Sequence, residues 1–120
     1  MKYMLLIYGN EELWESFAET DMAELIRETD ALQVELRETG EFVGAYGVAD
    51  QAQAKTVRLQ DGVPAVTDGP YIEAKEYLGS FDIVDCESLE RALEIAARVP
   101  FAKYGSVEVR PLMHEAAPEG

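Results

Sequence analysis

The chain has 120 residues, the usual size of one domain, and 48% of them are apolar against 28% charged, which supplies a core and excludes the composition of a disordered chain. Its 24 acidic residues against 10 basic ones leave a formal charge of −14, a field that repels phosphate backbones and anionic membrane surfaces and argues against nucleic acid as a partner. The single cysteine, Cys86, allows no internal disulfide and no cysteine-built zinc site, no apolar run approaches the ~18 residues of a membrane span, and the start is too short and aromatic for a signal peptide, so a cytoplasmic protein without membrane, metal or cofactor is expected.

Residues 2–8 alternate Tyr3/Leu5/Ile7 with Met4/Leu6/Tyr8. Both sets are apolar or aromatic, which predicts a central strand covered on its two faces. A short helical stretch at 11–17 precedes Thr20-Asp21, an N-cap and a first-turn acid for a longer helix. Met22, Leu25, Ile26, Thr29, Leu32 and Leu36 form its apolar stripe, and Gly40 ends it. Residues 41–48 read as a strand loosened by Gly44 and Gly47, and 54–59 as the next. Asp61-Gly62 is a hairpin turn returning through 63–67. Asp68-Gly69-Pro70 is turn chemistry, 71–76 a loop or single helical turn, and 77–84 a strand with Phe81 and Ile83 on one side. Capping side chains at 85–88 introduce a helix with the stripe Leu89, Ala92, Leu93 and Ala96, stopped by Pro100. The last strand, 106–112, carries Val107 and Val109 on one face and Glu108 and Arg110 on the other. The domain therefore spans 1–112, with a mobile tail expected over 113–120.

The order is βαββαβ with an extra hairpin, the ferredoxin-like arrangement of an α+β domain. Two helices cover one face of such a sheet, yet the first strand is apolar on both. A second copy of the chain is the simplest cover, and stacked sheets would enclose a space between subunits.

Three stretches, KYMLLIYG at the start, TDGPYIEAKEYLGSFDIVD in the middle and RVPFAKYGSVEVRP near the end, together resemble the DGPF-domain group of YCII-related proteins. Tyr71 stands where the group name expects Phe, keeping the ring and adding a hydroxyl. The resemblance implies a dimeric α+β barrel and a bacterial cytoplasmic protein, often encoded beside an extracytoplasmic-function sigma factor, with no reaction firmly attached. It also implies a His and Asp pair in a cleft. Here the one histidine, His114, lies beyond the last strand, and Tyr104 stands where the resemblance places a His before Gly105.

Asp68 is the sharpest catalytic candidate, since a carboxylate at a Gly-Pro turn can be held rigidly as a base or cation ligand; the alternative is an Asx motif that caps its own turn. Tyr71 and Lys75 follow closely, and Glu108 and Arg110 could clamp a polar ligand or pair with each other. Tyr8, Tyr46, Tyr77 and Tyr104 flank strand ends, where a tyrosine stacks a flat ligand or packs an interface. The expectation is a homodimer holding an unidentified small molecule among Asp68, Tyr71, Lys75, Tyr104, Glu108 and Arg110. The rivals are a cofactor-free enzyme with Asp68 as acid or base, and a purely structural interaction partner.

Overall fold

The computed structural model describes residues 1–17 and 19–116, with 19 and 20 as backbone only. Strand β1 (Lys2–Gly9) pairs antiparallel with β5 (Tyr77–Asp85) on one side and β6 (Ser106–Pro111) on the other. Outside β5 lies β2 (Phe42–Gly47), giving the sheet order β2-β5-β1-β6. Helix α1 (Glu11–Ser16) and the long α2 (Glu19–Thr39) link β1 to β2, and α3 (Leu89–Arg98) links β5 to β6. This is the ferredoxin-like α+β order. The remaining strands, β3 (Lys55–Gln60) and β4 (Val63–Asp68), form a separate two-stranded sheet inserted between β2 and β5.

Local chemistry sets these boundaries. Asn10 caps α1 by accepting from the Leu13 N–H at 2.7 Å, and Ser88 caps α3 by accepting from Arg91 N–H at 3.1 Å. Gly40, at φ +81°, closes α2 in the left-handed conformation that a side chain would resist. That helix starts at Glu19, so Thr20 lies in its first turn, and its capping position falls outside the described residues. Cys86 is a small buried residue just before the start of α3, its thiol pushed up chiefly by burial. The expected mobile tail is described only as far as residue 116, where Glu115 pairs with Lys2; residues 117–120 lie outside the description.

The core lies between one sheet face and the helices. Tyr3, Leu5 and Ile7 are buried there with Val84, and α2 adds Leu32 and Leu36. Helix α3 contributes Ala92, Ile95 and Ala96, whereas Leu89 and Leu93, expected in its stripe, are 44% and 49% exposed. The helix is rotated from the expected phase because its inward positions run 92, 95, 96 and on to Val99. Small alanines on that face let the helix approach the sheet, with Ile95 filling the space between. Ile26 of α2, also expected inside, is 52% exposed. Across the helices, Arg91 forks onto Glu41 with two 2.8 Å bonds and ties α3 to the entry of β2.

Among the described residues, two surfaces are left without a cover. Met4, Leu6 and Tyr8 share the second sheet face with Phe81 and Ile83, and Tyr46 stacks on Phe81 with ring centroids 5.2 Å apart. On the hairpin, Val57, Leu59, Pro64 and Val66 share one exposed apolar face. A two-stranded ribbon is marginal by itself. This one projects enough that the radius of gyration is 16.6 Å, against about 14 Å for a compact chain of this length.

Ile95→Ala should lower unfolding free energy in urea by about 2–5 kcal/mol, as for a buried aliphatic truncation, while Ile26→Ala should change it by less than about 1 kcal/mol. Equal effects would contradict the observed rotation of the helices.

Candidate functional site

The end of the sheet where β1 meets the start of β5 is irregular. Ile7 pairs with Ser80 but Tyr8 pairs with Leu78, so Gly79 is an extra residue in β5. A bulge re-aims the side chains beside it. Just beyond, Gly9 leads into the Asn10 cap, and the indole of Trp14 folds back over the strand. A Cβ at Gly9 would lie 2.4 Å from that ring, so only glycine permits the contact.

Two cavities flank this sheet end. One, about 610 Å³, opens on the uncovered side, between Tyr8 and Leu78 on the sheet and Ala54, Pro70 and Ile72 beneath the hairpin. The other, about 390 Å³, lies on the helix side among Ile7, Trp14, Met22, Ser80 and Phe101. Val48, Ala49, Asp50, Tyr77 and Leu78 wall both. The Tyr77 hydroxyl is buried, and the Trp14 indole lies close without making a well-formed hydrogen bond to it. Burial, then the nearby Asp50 and Glu11 carboxylates, push that phenol up. A buried hydroxyl left without a partner is unfavourable, because it loses its hydrogen bonds to water without replacing them.

The Asp68-Gly69-Pro70 turn contributes to the larger cavity through its backbone. Gly69, at φ +94°, donates its N–H to the Ala54 carbonyl at 2.8 Å, and its own carbonyl accepts from the Thr56 hydroxyl at 2.8 Å. Those bonds set Pro70 against the cavity. The Asp68 side chain is 88% exposed and pairs with Lys55, its cross-strand neighbour. Among the described residues it accepts no bond from the turn's own N–H groups.

The other candidates divide. Lys75 lies with Glu11 at the mouth of adjoining clefts, and Glu108 lines a further cleft with Tyr8 and Glu76. Arg110 stands 3.8 Å from Glu108 but two residues farther from the cavity end, paired in register with Met4. Tyr71 is exposed, with the Arg58 guanidinium 4.9 Å above its ring. Tyr104 packs edge-on against Phe17 at 5.0 Å, within the aromatic group of Trp14 and Phe101 on the helix side. The structure thus gathers Lys75, Glu108 and the Gly69-Pro70 turn around one end of the sheet. Arg110, Tyr71 and Tyr104 stand apart from it.

Sequence reasoning passed over Asp82. It faces inward, opposite Leu5 and Ala45, where desolvation pushes its carboxyl up to about 6. The signal was available in the alternation of Ser80, Asp82 and Val84 against Phe81 and Ile83.

The profile of the YCII-related domain matches residues 1–116. An uncharacterized protein of Rhizobium meliloti (strain 1021) is 33% identical over 114 residues, covering 93% of this chain and 92% of that one. The chain belongs to the YCII-related domain family.

Asp82 supplies a pH test. Its folded-state value lies above the ordinary 3.8, so folding favours the protonated carboxyl. The penalty is absent below the ordinary value, grows as pH rises toward about 6, and is complete above it. Asp82→Asn should therefore stabilise the chain at pH 7.5 by about 1–2 kcal/mol, allowing for partial hydration of the group. That advantage should vanish near pH 4 in urea melts, and an equal effect at both pH values would refute desolvation as the cause.

Proposed function

We propose that this YCII-related protein is a homodimeric small-molecule-binding domain that pairs through the uncovered sheet face and holds its ligand in the cavity beside the Gly69-Pro70 turn. The cavity of about 610 Å³, opening at the end of that face, is the observation that carries the reading. Its size suits a metabolite or drug-sized ligand, and its walls are mainly apolar with a few polar groups at one end.

The dimer is supported by Met4, Leu6, Phe81 and Ile83, one apolar patch on a face that no helix of the described residues covers. A twofold pairing of such a face is self-complementary. The bare apolar side of the hairpin gives a second surface for the partner to shelter. Asp68-Gly69-Pro70-Tyr71 supports membership of the DGPF group, and with it an accessory role beside an extracytoplasmic-function sigma factor in a bacterial cytoplasm. Glu108 and Lys75 belong to the proposed site by position, and Arg110, Tyr104 and Tyr71 would join it through the second subunit. Asp68 at the hairpin base is the candidate acid or base if the bound molecule is also transformed.

Sedimentation velocity at micromolar concentration should show a dimer, and Leu6→Glu, a charge at the centre of the face, should give a monomer that keeps its helical circular dichroism. A metabolite screen by thermal shift should find a stabilising ligand, with about 2.7 kcal/mol gained at a hundredfold excess over Kd. Filling the cavity with Ala74→Trp should abolish that shift. A monomeric wild-type chain that no ligand stabilises would end the proposal, and loss of turnover rather than affinity in Asp68→Ala would turn it toward catalysis.

A further inference from the structure

The larger cavity joins a second cleft of about 540 Å³, the two sharing Asp50, Gln51, Pro70 and Ala74. Around their combined rim stand the carboxylates of Glu11, Asp50, Glu73 and Glu76, with Lys75 as the opposing base. Elsewhere Lys2, Lys55, Arg91, Arg98, Lys103 and Arg110 each pair with a carboxylate, while Arg37 and Arg58 lie over the Phe42 and Tyr71 rings. None of the four rim carboxylates has an ion pair among the described residues.

Their recorded partners are neutral. Asp50 accepts from the Ala52 N–H at 2.8 Å, and Glu76 accepts from the Asn10 amide at 3.0 Å. Such bonds orient a carboxylate and leave its charge uncompensated. Inside the rim, Tyr8, Tyr77, Ile72 and Leu78 offer aromatic and aliphatic walls. A cation seated there gains from the carboxylates and from the ring faces together. An anion of the same shape meets the field that already raises Tyr77.

We infer that this cavity takes a molecule with an apolar, preferably aromatic body and a protonated amine, and discriminates against the corresponding carboxylate. The inference rests on the small-molecule-binding reading above and specifies its ligand. The amine reaches the rim near Asp50 and Glu76, and the ring lies against Leu78 and Ile72. The acidic balance of the whole chain adds a long-range attraction for cations, but selectivity between shapes arises at the rim, within a few ångströms of these two carboxylates.

Isothermal titration of the full chain with tryptamine, tryptophol and indole-3-acetate, matched indoles that are cationic, neutral and anionic at pH 7, tests this. Tryptamine should bind at least about tenfold more tightly than tryptophol and indole-3-acetate weakest, with the spread narrowing at high salt. The double variant Asp50→Asn with Glu76→Gln keeps both neutral hydrogen bonds while removing two charges. It should fold as the parent does and lose about tenfold of the preference for tryptamine over indole-3-acetate. Equal affinities for the three indoles, or a preference unchanged in the double variant, would overturn the amine inference and leave the cavity as a binding site. Failure of all three to bind would overturn the amine inference, whereas the binding reading falls only if the metabolite screen finds no stabilising ligand.

Discussion

A four-stranded sheet has two faces, and this chain has helices for one. That constraint acts through β1, whose odd positions pack under α2 and α3 while its even positions present Met4, Leu6 and Tyr8 to the other side. Leu5 is wholly buried because β5, β6 and both long helices converge on it. Every later feature of the molecule inherits this asymmetry. The hairpin leaves the sheet at the β2 edge, the bulge at Gly79 bends the sheet end, and a cavity opens where the turn after the hairpin returns to β5.

The topology was legible because its determinants are local and repeated. The double alternation of residues 2–8, the Asp61-Gly62 turn and the glycine at 40 each specify a conformation by their own chemistry. Helix phase was less legible. In α3 both Leu93 and Ile95 are large and apolar, and it is packing in the core, with Val99 and the sheet, that takes Ile95 inward. Sequence periodicity admits both phases over ten residues.

The candidate site was legible in part for a similar reason. Asp68-Gly69-Pro70 announces a rigid turn, but its contribution is the placement of Pro70, while the Asp68 carboxylate goes to Lys55. The cavity itself is assembled from Tyr8, residues 48–54 and residues 70–78, three segments whose approach depends on strand order and on one bulged residue. No spacing within a single stretch reports such a meeting. Asp82 escaped notice because an acidic residue between Phe81 and Ile83 looks like the wet side of a strand, whereas the wetter face here is the aromatic one.

Gly9 carries a consequence of a different kind. By letting an indole lie over the strand, it places the chain's one tryptophan, Trp14, in the wall of the helix-side cavity, beside Phe101 and close to Tyr77. The protein's tryptophan fluorescence, excited beyond the tyrosine band, therefore originates from a single position. Its emission wavelength records how dry that corner is, and its intensity registers any occupant or rearrangement there without an added label.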